Sequence, residues 1–254
     1  MNIFFEYIKY RWIAKGLQGI HSPFVFNFMK DGMSAKLSKE SKESIFTFAF
    51  KNNMNSKVVN VEDHGAKSKK LKNSRKVKQI FRTSSSFGKN GMLLFRLCHH
   101  FKPKNILELG TSVGMGSLYM HFGNPKSKIT TIEGCPETYA LAKENLSPYP
   151  ILLINNTFEQ ALKEVEVQKF DLIFIDGHHD GVALKRYIDI LEQYAHDDTL
   201  FVLDDIRWSQ SMFDSWDQLK SSDTYNLSMD FFRMGVLIKR PQQVKENFIL
   251  KLKK

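Results

Sequence analysis

Residues 103–118, PKNILELGTSVGMGSL, decide the fold. The apolar run Ile106–Leu109 predicts a buried strand, and Gly110 directly after it predicts a tight turn. Gly114 and Gly116 then open an amphipathic stretch, which predicts a helix. Glycines at a helix start remove the Cβ atoms that would hold a ligand away from the backbone. A strand, turn and helix in this order indicate a site for a nucleotide-like ligand.

Two acidic residues narrow the choice of ligand. Glu108 stands two positions before Gly110, where a carboxylate would oppose a pyrophosphate, and the glycine spacing differs from the G-x-G-x-x-G pattern of dinucleotide sites. S-adenosylmethionine (SAM) has no phosphate, and its ammonium group suits a carboxylate at this strand end. A second apolar strand, Ile129–Ile132, ends in Glu133, whose carboxylate can accept hydrogen bonds from both ribose hydroxyls. These residues favour SAM as the cofactor.

Four segments together resemble the class I SAM-dependent methyltransferases, and more narrowly their O-methyltransferase-like branch. They are ELGTSVGMGS (108–117), TIEGCPETYALAKENL (131–146), FDLIFIDGHHD (170–180) and LFVLDDIRWS (200–209). Asn156, Thr157 and Phe158 stand where this family holds the adenine. With the strand ends, the resemblance implies a cofactor site made of Glu108, Gly110, Thr111, Ser112, Gly114, Glu133, Asn156, Thr157, Phe158 and Asp176.

Strands and helices alternate regularly from residue 103 onward, which predicts an α/β fold with a doubly wound, mostly parallel sheet. Seven strands are expected in the order 3-2-1-4-5-7-6, with the last two forming an antiparallel hairpin. Ligands of such sheets bind beyond the carboxyl ends of the strands, where the strand order reverses. Residues 91–254 are predicted to form this methyltransferase domain. Residues 1–90 are predicted to form a helical, basic extension that acts as a lid.

The N-terminal extension contains two predicted helices. Residues 2–13 place apolar side chains on one helical face. Ser22 and Pro23 then have the residue types of an N-cap and a first helical position. Residues 34–80, rich in Lys and Ser, permit a short strand near KVVNVED and the start of a helix at Lys76–Phe81, and are otherwise expected to be a lid or a connector.

Methyl transfer to a hydroxyl requires a base, or a cation that lowers the hydroxyl pKa. Asp176 ends the fourth predicted strand, and Asp204 and Asp205 end the fifth. Three such carboxylates suit Mg²⁺, and the metal-dependent catechol and phenylpropanoid O-methyltransferases resemble this arrangement, with Asn where this chain has Asp205. His179 stands where those enzymes have a Lys base, and a neutral imidazole accepts a proton at pH 7. We predict Asp176 and His179 as catalytic residues, and Asp176, Asp204 and Asp205 as ligands of an optional Mg²⁺.

The net charge of +10 is concentrated in one segment. Residues 36–90 contain fourteen Lys or Arg and four Asp or Glu, so this segment alone has a net charge of +10. Such a block attracts RNA, a membrane surface or an acidic substrate, or is simply a solvated segment. An RNA methyltransferase is therefore the alternative function, ranked second because no NPPY-type motif grips a flipped base. A cofactor-binding or interaction protein without catalysis is a third hypothesis.

The remaining composition predicts a cytoplasmic protein with a small-molecule substrate. Cys98 and Cys135 are the two cysteines of the chain, which argues against a disulfide framework. No apolar run has the length needed to span a bilayer. Glu6, Lys9 and Arg11 interrupt the apolar N-terminus, which rules against a signal peptide. A homodimer contact and a weak peripheral membrane contact through the first helix both stay open.

Overall fold

The computed structural model describes residues 2–61, 74–165, 169–177 and 180–252. Its chain divides into two compact units, one formed by residues 35–166 and the other by residues 1–34 together with 167–254. The fold is α/β, with a mostly parallel sheet flanked by helices, which confirms the predicted class. The predicted domain boundary at residue 90 stays a prediction.

The helices and strands follow one another along the chain as regular elements separated by short loops. In order they are α1 (Ile3–Ile13), α2 (Pro23–Lys30), α3 (Lys39–Met54), β1 (Val58–Asn60), β2 (Ser74–Lys76), α4 (Val77–Ser84), α5 (Lys89–Phe101), β3 (Asn105–Leu109), α6 (Met115–Gly123), β4 (Lys128–Glu133), α7 (Pro136–Leu146), β5 (Ile151–Asn155), α8 (Phe158–Glu164), β6 (Phe170–Ile175), α9 (Gly181–Leu191), β7 (Ala195–Leu203), α10 (Gln210–Ser221), β8 (Leu227–Asp230), β9 (Gly235–Ile238) and β10 (Glu246–Ile249).

In the unit of residues 35–166, the strands β5, β4 and β3 lie side by side and run parallel. This is the predicted order of the first three strands. The register pairs Leu109 with Ile132 and Glu133 with Asn155, so the carboxyl ends of these strands meet at one edge. Strands β1 and β2 form a separate antiparallel pair.

In the other unit, the strand order is β6, β7, β9, β8 and β10. Strand β9 runs antiparallel to both β7 and β8, which confirms the predicted hairpin and the predicted order 4-5-7-6. Strand β10 pairs parallel with β8 and was not predicted. It has four residues, of which Phe248 alone is buried, so its hydrophobic pattern is too short to predict a strand.

The two predicted N-terminal helices are present. Ser22 is the N-cap of α2, and its hydroxyl accepts a hydrogen bond from the Val25 amide. Helix α3 was not predicted, because polar side chains occupy most of its sixteen positions; Ser38 caps it by accepting from the Ser41 amide at 3.1 Å. Within the described parts of the chain, no helix combines the length and the apolar character needed to cross a membrane.

Candidate functional site

The glycine turn, residues 110–114, lies between β3 and α6. Gly110 and Gly114 have φ angles of +100° and +96°, and Ser112 between them also has a positive φ of +51°. A Cβ atom built on Gly114 would lie 2.8 Å from the Leu146 side chain. Glycine is therefore required at position 114 for two reasons, the positive φ angle and the close approach of Leu146 at the end of α7. The first backbone N–H groups of α6 begin directly after this turn.

Glu133 is fixed beside the glycine turn by main-chain hydrogen bonds. One carboxylate oxygen accepts from the Ser112 amide at 2.9 Å, and the other accepts from the Cys135 amide at 3.0 Å. The side chain is half-buried at the end of β4. A carboxylate oxygen has more than one lone pair, so each can accept a further hydrogen bond from a ligand hydroxyl. This geometry agrees with the predicted ribose acceptor.

Glu108 belongs to a buried polar network behind the glycine turn. It is 1% exposed, and its carboxylate accepts hydrogen bonds from the Ser117 hydroxyl and from the Thr131 hydroxyl. The hydroxyls of Thr131 and Thr111 lie 2.6 Å apart and share a hydrogen bond. Burial raises the pKa of Glu108 to about 7, although the two hydroxyl donors act in the opposite direction. A nearby ligand ammonium would shift this carboxyl toward its ionised form.

The residues predicted to hold the adenine follow β5, the strand that pairs with β4. Asn156 accepts a hydrogen bond from the Thr157 amide at 2.9 Å and donates its own amide to Glu164 at 2.8 Å. Thr157 is the N-cap residue of α8, and Phe158 is its first residue. All three are half-buried and come directly after the strand partner of Glu133. Their role in binding adenine stays a prediction.

The unit that contains β6 and β7 has an acidic cluster with an arginine partner. Asp176 follows β6, and Asp204 and Asp205 follow β7 and are buried. The Arg233 guanidinium forms ion pairs with both buried carboxylates, at 3.3 Å to Asp204 and 2.6 Å to Asp205. Burial lowers the pKa of Arg233, but the charges of Asp204, Asp205 and Asp176 raise it overall. We call these four residues the Arg233 cluster.

The ion pairs of the Arg233 cluster do not suit binding of the predicted Mg²⁺. Asp204 and Asp205 already pair with a guanidinium, which supplies the positive charge that a metal ion would supply. Across the described residues, no group of three or more His, Cys, Asp or Glu side chains has an arrangement that could hold a metal ion. The expectation that Asp176, Asp204 and Asp205 share Mg²⁺ stays a prediction, and the ion pairs of Arg233 with Asp204 and Asp205 argue against it.

Arg233 is held in place by the turn between β8 and β9. Its carbonyl oxygen accepts a hydrogen bond from the Ile206 amide at 3.0 Å, which ties it to the residues after β7. Asp230 accepts from the Phe232 amide at 2.8 Å and forms a two-pronged ion pair with Arg207, at 2.8 and 2.6 Å. Arg207 and Asp230 are both buried. The sequence around Arg233 indicates no functional role, because nothing local predicts that a hairpin turn meets the acidic strand ends.

Asp204 has one carboxylate oxygen that is unusual for a buried group. Its Oδ1 atom is buried and has no hydrogen-bond partner among the described residues. Burial, followed by the neighbouring charge of Asp205, raises the pKa of Asp204 to about 6, although Arg233 lowers it. A buried acceptor without a donor costs free energy, so this oxygen is a place where a donor hydroxyl would be stabilised. Asp205 next to it has a positive φ of +53°.

Comparison with known proteins covers residues of both units. Residues 107–206 match the family described as a methyltransferase domain, and they include the glycine turn, Glu133, Asp176 and Asp204. The resemblance to the class I methyltransferases is confirmed. A Mycobacterium protein (strain JLS), provisionally described as an O-methyltransferase, is 30% identical over 93 residues, which are 34% of this chain. The matched part spans 42% of the length of that relative.

Solved methyltransferases share the fold of this chain. A Bacillus cereus O-methyltransferase in complex with S-adenosylhomocysteine (SAH) superposes with a TM-score of 0.53 at 15% identity, covering 80% of this chain and 92% of the other. The SAH-bound methyltransferase PaMTH1 of Podospora anserina has a TM-score of 0.51 at 20% identity, covering 81% and 97%. At these identities the comparison shows the α/β methyltransferase fold. The predicted base His179 lies outside the described part of the chain, as does its neighbour His178.

Proposed function

We propose that this protein transfers a methyl group from SAM to an oxygen atom of a small molecule. The observation that carries the proposal is the position of Glu133, which main-chain amides hold beside the glycine turn. The matching methyltransferase domain supports the activity, and the name of the Mycobacterium relative supports oxygen as the acceptor atom. The two SAH complexes among proteins of the same fold support SAM as the methyl donor.

The residues of the glycine turn and of β4 fit this cofactor. Gly114 supplies the positive φ angle that the turn requires, and Glu133 accepts the ribose hydroxyls. Glu108, whose pKa burial raises to about 7, becomes ionised when the ammonium group of the cofactor approaches it. Thr111, Ser112 and the residues 156–158 complete the proposed contacts. When bound, SAM supplies an electrophilic methyl group on a sulfonium.

The acceptor oxygen must lose a proton as it gains the methyl group. We assign proton removal to His179, and orientation of the acceptor hydroxyl to Asp176 and Asp204. The unpartnered Oδ1 atom of Asp204 supports that assignment, because it offers an acceptor to a hydroxyl group. Arg233 supplies the positive charge that holds Asp204 and Asp205 in place. No step of this mechanism uses a metal ion, since the described carboxylates do not fit one.

A methyl-transfer assay over a panel of acceptors tests the proposal. Labelled SAM is incubated with phenols, alcohols and the amines that match them in shape, each with and without EDTA. We expect labelled methyl ethers from at least one hydroxyl compound, and unchanged turnover in EDTA. Asp176→Asn and His179→Ala should lower kcat by about a hundredfold or more while SAH binding is retained. Labelling of the amines alone, or full turnover by both variants, would contradict the proposal.

The other predicted partners stay predictions. Binding of RNA rests on the basic residues 36–90, of which residues 62–73 lie outside the described part of the chain. It is tested by titrating labelled RNA at increasing salt, because phosphate contacts make the affinity fall steeply with salt concentration. A homodimer is tested by light scattering of the purified protein.

A further inference from the structure

Helix α1 carries an apolar stripe on its solvent side. Phe4, Ile8 and Trp12 recur every four residues and therefore share one face of the helix, with Phe5 beside them. Trp12 is 87% exposed, Phe4 65%, Phe5 59% and Ile8 40%. Large apolar side chains that cluster in water mark interaction surfaces, whereas single exposed ones need no explanation. The four residues form what we call the α1 stripe.

The opposite side of α1 is anchored, so that the stripe points outward. The Tyr7 ring meets the Phe232 ring edge-on at a centroid distance of 5.0 Å, and the Tyr10 ring lies 5.2 Å from the same ring. The Tyr10 hydroxyl donates a hydrogen bond to the carbonyl oxygen of Leu250. These contacts fix the orientation of the helix about its axis, so the α1 stripe stays exposed.

Basic residues border the α1 stripe on both sides. At about 100° per residue, Arg11 and Lys9 fall on opposite edges of the face that holds Phe4, Ile8 and Trp12. Lys9 pairs with Glu6 at 3.0 Å, yet its side chain is 70% exposed. The positive charges of Lys9 and Arg11 at the two edges favour an anionic surface. They disfavour a second copy of the chain, because two stripes face to face would bring their basic borders together.

We propose that α1 docks on an anionic lipid surface, with the α1 stripe among the acyl chains and Lys9 and Arg11 at the headgroups. A helix with aromatic and aliphatic residues on one side and basic residues at the borders lies in the plane of such an interface. Its eleven residues are too few to cross the bilayer, so the contact is peripheral. The same helix packs on Phe232, the neighbour of Arg233, which connects the docked surface to the turn that carries the Arg233 cluster.

Vesicle sedimentation of the full chain tests this proposal. One vesicle sample is phosphatidylcholine alone, and the other contains about one third phosphatidylserine. We expect sedimentation with the anionic vesicles and little with the neutral ones. The double variant Phe4→Ala/Trp12→Ala should weaken binding by about tenfold or more, because it removes two large apolar groups from the interface. Its melting temperature should stay near that of the wild type, since both side chains are exposed.

A matched variant controls for exposed aromatic residues in general. Phe46 and Phe50 are 65% and 69% exposed and lie four residues apart on α3, so Phe46→Ala/Phe50→Ala removes a similar exposed area elsewhere. It should leave vesicle binding unchanged. Lys9→Gln/Arg11→Gln should abolish the preference for anionic vesicles.

Three results would overturn the proposal. They are no sedimentation with anionic vesicles, equal losses for the α1 and α3 double variants, and a dimer in light scattering that Phe4→Ala/Trp12→Ala separates while vesicles stay unbound. The last result would assign the stripe to a second copy of the chain.

Discussion

The glycine turn and the Arg233 cluster both place carboxylates at strand ends, but they hold them in different ways. At the glycine turn, backbone amides hold Glu133, so its position follows from the local chain path. In the Arg233 cluster, a guanidinium from a turn 28 residues further along the chain holds Asp205. The first arrangement places one main-chain hydrogen bond on each carboxylate oxygen of Glu133, and such an oxygen can accept more than one. The second balances the charges of two buried carboxylates with a guanidinium.

The largest effect is expected from Gly114→Ala, which breaks the glycine turn. The new Cβ atom meets Leu146 at 2.8 Å and the residue has a φ of +96°. Strain and overpacking together should lower the free energy of unfolding by about 3 kcal/mol and abolish SAH binding. Chemical denaturation and calorimetry measure the two effects.

Gly19→Ala is the control for Gly114→Ala. Gly19 has a φ of +92°, but its nearest neighbour, in the Lys15 side chain, would lie 3.8 Å from the new Cβ atom. The control should cost about 1 kcal/mol, from backbone strain alone, and should leave SAH binding intact. Equal losses of stability in the two variants would show that the close approach of α7 is not what requires glycine at position 114.

Arg233→Gln should show how the Arg233 cluster is stabilised. Without the guanidinium, the buried carboxylates of Asp204 and Asp205 lose their ion-pair partner, which should cost about 1–2 kcal/mol at pH 8 after allowance for the partial exposure of Arg233. The loss should shrink as the pH falls toward 6, because burial raises the pKa of Asp204 to about 6 although Arg233 lowers it, and removal of Arg233 lets the carboxyl take up a proton at higher pH than in the wild type. Thermal unfolding between pH 4 and pH 8 measures it.

The same variant tests the absence of a metal site in the cluster. Calorimetry with Mg²⁺ should show no binding to the wild type, whereas Arg233→Gln exposes two carboxylates to a divalent ion. Arg233→Lys keeps the charge and should stay free of Mg²⁺. Stoichiometric Mg²⁺ binding to the wild type that Asp204→Asn removes would restore the metal hypothesis.

A smaller effect is expected at Glu108, and it is measured as the number of protons released when SAH binds. Its pKa is raised to about 7, so a fraction of the molecules are protonated at pH 7. If the cofactor ammonium approaches this carboxyl, SAH binding should release up to about one proton per site. Calorimetry in two buffers with different ionisation enthalpies detects this release.

Glu108→Gln should bind SAH without releasing a proton. It should also gain stability relative to the wild type as the pH rises from 4.5 to about 7, because the folded wild type holds its proton more tightly than the unfolded chain does. Proton release that persists unchanged in Glu108→Gln would assign it to another group.

The elements that could be predicted are those whose pattern lies within one short segment of sequence. The alternation of strands and helices, the glycine turn and the strand-end positions of Glu133, Asp176 and Asp204 all follow from local patterns. Helix α3 escaped prediction because its buried residues are few and its first six residues are all Lys, Glu or Ser. Strand β10 escaped because four residues show no readable period.

The Arg233 cluster could not be predicted for a different reason. Its ion pairs join Asp204 and Asp205 to a residue that is distant in sequence, and the hairpin register that brings them together is a tertiary property. The pattern of carboxylates alone therefore suggested Mg²⁺. The predicted roles of Asn156, Thr157, Phe158 and His179 stay predictions, because they depend on bound ligands.

The most direct test of the account is calorimetric titration of SAH into the wild type, Glu133→Gln and Glu144→Gln. Glu144 is an exposed glutamate on α7 that pairs with Lys51, so its variant matches the chemical change away from the site. We expect micromolar binding to the wild type and to Glu144→Gln, and about tenfold to hundredfold weaker binding to Glu133→Gln, since charge-assisted hydrogen bonds are lost. Absence of binding to the wild type, or equal affinity of the two variants, would contradict the proposed methyltransferase function.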